Sequence, residues 1–154
     1  MQAGSVPQAP ELNDENPSGP SGPRAGFWQR FGASLIDAII TGAVIAVLAQ
    51  VIDNNAVTAL LYLAGLLYYV LLEGSASGQT LGKRALGIRV IGINDGASIG
   101  YGRALIRYLG RIVSSLVFLL GYLWMLWDKE KQTWHDKFAS SVVVPVADYP
   151  VAQG

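Results

Sequence analysis

The chain has 154 residues, of which 51% are hydrophobic and only 14% charged, against about 25% charged in an average soluble domain. That length leaves room for one small domain. Eleven basic side chains balance 11 acidic ones, so no global basic excess points to nucleic acid. With no cysteine and one histidine, disulfides, thiolate metal sites and multi-histidine metal sites are excluded, and no cofactor is implied.

Residues 1–24 form the first unit. Met1 to Pro23 is rich in Pro, Gly, Ser and Asn and carries Glu11, Asp14 and Glu15. Such a stretch cannot bury enough apolar surface to offset its ordering, so a disordered tail is expected. It has neither a basic n-region nor an apolar h-region, which excludes a cleavable signal peptide and leaves membrane insertion to the first apolar helix.

A membrane domain is expected over residues 25–146, with a C-terminal tail over 147–154. Phe27-Trp28 suits the membrane interface. Phe31 to Ile52 is interrupted by one charge, Asp37, and meets the roughly 20 apolar residues a span requires. Asp53-Asn54-Asn55 supplies a polar turn, and Ala56 to Leu72 is apolar at the lower limit for crossing, so the two segments form a helical hairpin. Gly74 to Gly102 is a polar connector. Within it Ile88 to Ile93 reads as a short strand, and Asn94-Asp95-Gly96 as a turn. Ser141-Val142-Val143-Val144 is a second β-branched run, and two such strands on one side of a membrane would pair. The third apolar segment, Ile112 to Trp127, is shorter than a full span. It lies between Arg103, Arg107, Arg111 and Lys129, Lys131, Lys137. The predicted fold class is therefore all-α and membrane-embedded: a transmembrane hairpin, a third hydrophobic segment and a small cytoplasmic β-pair.

Lys and Arg mark cytoplasmic loops. Arg24 and Arg30 precede the first helix, while Lys83, Arg84 and Arg89 follow the second. The turn at Asp53 has no basic residue. Both hairpin ends, and the N-terminus, are thus expected in the cytoplasm of a bacterial cell, with the protein in its inner membrane. The third segment either crosses or bends back near Gly121; the basic residues after it favour a cytoplasmic C-terminus.

On a helix Arg30, Ser34, Asp37 and Thr41 share one face. A carboxylate sits about 10 Å beyond the cation along that stripe. An acid near the centre of a membrane helix costs roughly 2.5–3.5 kcal/mol to insert, so the stripe is expected to face protein or water. Thr58, Tyr62, Gly65, Tyr69 and Glu73 share a face of the second helix, with hydroxyls within reach of Asp37. Arg103, Arg107 and Arg111 form a basic stripe; Asp37 is expected to find its counter-ion there or in Arg30. Ala38, Gly42 and Ala46 make a small-residue row for close helix contact. Two readings follow: an Arg/Asp site that binds a cation or proton, or a buried ion pair that fixes packing.

Gly78-Gln79-Thr80-Leu81-Gly82-Lys83 approximates a phosphate loop, but its spacing is one short and Arg84 replaces the Ser or Thr. A flexible cytoplasmic turn is the expectation there. The basic connector also suits contact with anionic headgroups, although topological retention explains its charges equally well. No catalytic residue is indicated, since nucleophile, metal cluster and cofactor loop are all wanting, and an enzyme is not expected.

Three segments together resemble one family. Arg30-Phe31-Gly32-Ala33-Ser34-Leu35-Ile36-Asp37 is similar to the opening of the RDD family of bacterial membrane proteins. Gly78 to Arg84 is similar to its loop motif, and Gln132-Thr133-Trp134-His135-Asp136-Lys137 to its closing segment. The resemblance runs from about Gly26 to Val144. It implies that the family's arginine and two aspartates fall on Arg30, Asp37 and Asp136, and that cation–proton exchange, proposed for some members, is the activity to test. Trp134 stands where a smaller apolar residue is common, and Ser140-Ser141 where Gly-Thr is usual, so the closing turn is expected to pack differently. On its own residues Asp136, among Lys129, Lys131 and Lys137, reads as a solvated charge. The expected partners are the lipid bilayer, a monovalent cation or proton, and further copies of the chain or another membrane protein.

Overall fold

The computed structural model describes residues 23–117 and 119–151. The expected disordered tail lies outside the described residues except for its last two positions. Helix α1 (Phe27–Val51) and helix α2 (Asn55–Gly74) form the expected hairpin. Asn54 caps α2, accepting from the amides of Ala56 at 2.9 Å and Val57 at 3.3 Å, which satisfies two of the donors a helix start leaves open. Both helices are long and apolar enough to cross a membrane. Their large apolar side chains, among them Ile39, Val47, Leu60 and Leu71, point outward. In water such a surface would be unstable; in lipid it is the expected exterior.

After α2 the connector returns to the hairpin. Thr80 begins a short helix, α3 (Leu81–Ala85), and strand β1 (Ile88–Gly92) follows. Helix α4 (Gly100–Leu116) buries Ala104, Arg107, Gly110 and Ser114, a helical spacing that turns one face inward. The third apolar segment does not continue straight. Beyond Leu116 it resumes as α5 (Leu120–Leu123) and a 3-10 turn at Trp124–Leu126, inclined 112° to α4. Leu119 sits in the left-handed region with φ 62°. The fold-back falls just before Gly121, the expected hinge. Gly121 instead packs on α4, where an added Cβ would collide with Ser114.

Helix α6 (Trp134–Phe138) and strand β2 (Ser141–Pro145) complete the domain. The two strands pair antiparallel with Val90 opposite Val143, so the β-branched runs meet as expected. A lone two-stranded ribbon is marginal in water. This one buries both faces: Ile88, Val90 and Val143 against Ala33, Val70 and Ala104, and Ile91, Val142 and Val144 beneath Tyr149. Arg89 reaches the carbonyl of Pro150 at 3.0 Å. The packed domain therefore extends to about residue 150, past the boundary expected at 146. Because β2 pairs with β1, both lie on one side of any bilayer that the hairpin crosses.

Candidate functional site

Asp37 is 1% exposed. The helical arithmetic assigned it an arginine as counter-ion, and that expectation is corrected. Among the described residues Asp37 makes no ion pair. Its Oδ1 accepts from the Tyr68 hydroxyl at 2.7 Å and the Gly82 amide at 2.8 Å, and its Oδ2 from the Thr80 hydroxyl at 2.6 Å. Every one of these partners is uncharged. The geometry depends on Gly82: an added Cβ would lie 2.9 Å from the Asp37 carboxyl carbon and collide with the Ala33 carbonyl oxygen. Glycine thus permits α3 to lie directly on α1. The loop read as a flexible turn is instead buried at Gln79, Thr80, Gly82 and Lys83, because it supplies the donors that an aspartate inside a membrane helix needs.

The arginines serve two other carboxylates. Asp136 is wholly buried, not solvated. Arg30 donates to its Oδ2 at 2.6 Å, Arg107 donates to its Oδ1, and the Thr133 amide and hydroxyl bond Oδ2 at 2.9 and 2.8 Å. Burial alone would push the Asp136 carboxyl up; Arg30 and Arg107 outweigh it and hold the group well below the usual carboxylate range. Glu73 is the second hub. Lys83 reaches it at 2.6 Å and Arg107 at 3.0 Å, and Arg111 donates to the oxygen that Lys83 holds. Burial pushes the Lys83 ammonium down to about 8, with Glu73 opposing the fall. Arg107 therefore bridges the two carboxylates, joining α1, α2, α3, α4 and α6 in one network.

Of the supporting stripe, Ser34 and Tyr69 face cavities beside this network, and the Tyr69 ring lies 4.8 Å from the Arg111 guanidinium. The Thr41 hydroxyl bonds back to the Asp37 carbonyl at 2.8 Å rather than to its carboxylate. Tyr62 is 65% exposed and takes no part; Tyr68, one position away from Tyr69, supplies the hydroxyl instead. Arg103 also leaves the stripe, bonding the Ala139 carbonyl at 2.8 Å and that of Ser140. The sequence reading put Glu73 on the polar face of the second helix without giving it a role, and it left Lys83, Thr80, Tyr68 and Gly82 out of the site. The recoverable signal was Glu73, a lone acid closing an apolar helix opposite a row of arginines.

The closing segment holds α6 against α4 at Gly110, where an added Cβ would come within 2.8 Å of the His135 Cβ. Trp134, bulkier than the residue expected there, packs on Trp124 of the fold-back with ring centroids 6.2 Å apart. Ser140 adopts φ 48°, a left-handed backbone that suits the glycine usual at this place.

A two-helix hairpin that folds its own connector and C-terminal segment over a buried Arg–Asp–Glu network defines an integral membrane domain. The RDD family pattern matches residues 24–140, and the chain belongs to that family. It is 33% identical over 90 residues to the proline-rich antigen homolog of Mycobacterium tuberculosis, a match covering 56% of this chain and 38% of that protein. The chain thus spans well under half the length of that relative. Over 137 residues it is 27% identical to the uncharacterized membrane protein YteJ of Bacillus subtilis, covering 78% of this chain and 80% of that one. With YxaI of the same bacterium the identity is 28% over 147 residues, 78% of this chain and 96% of the relative. No solved structure matches.

Proposed function

We propose that this protein exchanges protons or a small monovalent cation at Asp37 in the bacterial cell membrane, with its N-terminus and connector on the cytoplasmic side. One observation carries the reading: a buried carboxylate in a membrane helix that, among the described residues, faces only uncharged donors, while Arg30, Lys83, Arg107 and Arg111 are engaged with Glu73 or Asp136. An ionisable group inside a membrane helix is a functional candidate by default. A fixed salt bridge would be inert, whereas a carboxylate held by hydroxyls keeps the freedom to change partner. The Tyr68 and Thr80 oxygens carry lone pairs as well as protons. They can donate to a carboxylate or turn those lone pairs toward a cation bound beside it. Nothing in this chemistry requires a nucleophile or cofactor, so the protein is read as a carrier and not an enzyme.

The second reading is a non-catalytic membrane partner or assembly protein. Ala38, Gly42 and Ala46 favour it: the row is exposed, and an added Cβ at Gly42 would meet nothing within 4 Å. The same row suits self-association into a homo-oligomer, which a carrier with so few helices would require. Proton flux driven by sodium or potassium gradients in vesicles holding the purified protein separates the readings. Exchange predicts flux in the wild type and its loss in Asp37→Asn that remains folded. Absence of flux from folded wild-type protein would turn the assignment to the partner role.

A further inference from the structure

Between the start of α1, α4, the α5 fold-back and the Thr133–His135 turn lies a cavity of about 300 Å³. Arg30, Lys83, Arg107 and Arg111 all line it, and among the described residues no acidic one does. Glu73 and Asp136 pair with these cations, so four positive charges are balanced by two negative ones, an excess of two facing a partly open cavity. Uncompensated charge in such a place is unfavourable, and an anion in the cavity would compensate it. Donors remain for it. Arg107 uses Nε and one Nη on its partners, and Arg111 uses a single Nη; the other guanidinium nitrogens have no acceptor among the described residues. Arginine forks of this kind match the oxygens of a phosphate group.

His135 refines the ligand class. The Thr133 hydroxyl donates to Asp136 at 2.8 Å, so at 2.9 Å it accepts from His135 Nε2. The neutral imidazole then presents Nδ1 as an acceptor, and this buried atom has no partner among the described residues. A ligand hydroxyl would complete it. The remaining wall is apolar, formed by Phe27, Phe31, Leu119 and Leu123. A second, more polar cavity of about 310 Å³ shares Ser34, Lys83, Arg111, Ser115 and Tyr122 with the first and adds Tyr69 and Tyr108. The first cavity therefore sets four cations opposite an apolar wall.

We propose that the cavity binds the phosphate of an anionic glycerophospholipid whose headgroup carries a hydroxyl, with the start of an acyl chain lying against Phe27, Phe31, Leu119 and Leu123. The phosphate oxyanion is the shared chemistry; the apolar wall beside the cations selects lipid over free phosphate. The site goes beyond exchange at Asp37 and does not require it.

The test uses the full chain purified in a neutral, phosphate-free detergent. Native mass spectrometry is run against phosphatidylglycerol, phosphatidylcholine and inorganic phosphate, with thermal unfolding read in parallel. Expected is one retained phosphatidylglycerol, bound at least tenfold more tightly than phosphatidylcholine and raising the unfolding temperature, with inorganic phosphate failing to compete at equal concentration. Arg111→Gln should weaken that binding at least tenfold. Because this change also touches Glu73, Ser115→Trp serves as a second variant: it fills the cavity, keeps every charge and should exclude the lipid. Equal binding of both lipids, competition by inorganic phosphate alone, or unchanged lipid binding in a folded Ser115→Trp would each overturn the proposal. Flux through Asp37 is measured separately, so loss of one activity does not decide the other.

Discussion

Asp136→Asn tests the charge network most severely. The aspartate lies between Arg30 and Arg107 with no water-exposed surface. Replacing it raises the net charge of the buried network from two to three, leaves Arg30 without its carboxylate and leaves Arg107 with Glu73 alone. Removing one partner of a buried pair costs about 3–5 kcal/mol, far more than losing a surface pair. The Thr133 amide, which bonds Asp136 Oδ2 at 2.9 Å at the start of α6, loses part of its partner as well. Unfolding in detergent micelles, followed by tryptophan fluorescence against denaturant, should therefore show a loss of that size at pH 7. Adding Arg30→Gln restores the net charge to two and should recover part of the loss, with a coupling of about 1–3 kcal/mol. The pH dependence has a definite sign. The Asp136 carboxyl is held below its ordinary value near 4 in the folded state. Its contribution is thus fully present above about pH 4 and drains away as pH falls further. The gap between wild type and Asp136→Asn should be constant from pH 8 to about 5 and shrink below about 4. A loss under about 1 kcal/mol, or no coupling to Arg30→Gln, would refute the network as drawn.

Three further outcomes are expected. Gly82→Ala pushes a methyl group into the Ala33 carbonyl and the Asp37 carboxyl, and should cost about 1–3 kcal/mol by overpacking in the same denaturant assay. Ser140→Gly relieves a left-handed residue at φ 48° and should stabilise the closing turn by up to about 1 kcal/mol, read as a higher denaturation midpoint. In a chain with no native cysteine, a cysteine at Ala147 should resist an impermeant thiol reagent in intact cells while one at Asn54 is labelled. Rapid labelling at Ala147 would reverse the proposed orientation.

The hairpin, the shortened third segment and the paired strands were legible because each rests on local signals. Apolar run length sets the helices, β-branched runs set the strands, and the basic residues flanking Ile112 to Trp127 are costly to separate across a bilayer. The partners of the charged groups were not legible in that way. Helical spacing correctly put Arg30, Asp37 and Glu73 on inward faces, but it cannot say which other element will arrive opposite them. The connector folds back and delivers Thr80 and Gly82 to Asp37, which frees the arginines for Glu73 and Asp136. The same limit misplaced Tyr62: a face drawn from an ideal helix ignores where α3 inserts, and Tyr68 is the residue beside it. Asp136 was singled out only through the family resemblance, since its own neighbours in sequence are solvent-facing lysines.

The proposed function turns on whether the Asp37 carboxyl itself changes state when ions are exchanged. Infrared difference spectra of the purified protein, recorded on adding sodium or potassium and on stepping the pH, address this directly. The expected result is a carboxyl band that responds to the cation or the proton and disappears in Asp37→Asn. A carboxyl spectrum indifferent to both, in protein that remains folded, would contradict exchange at this site.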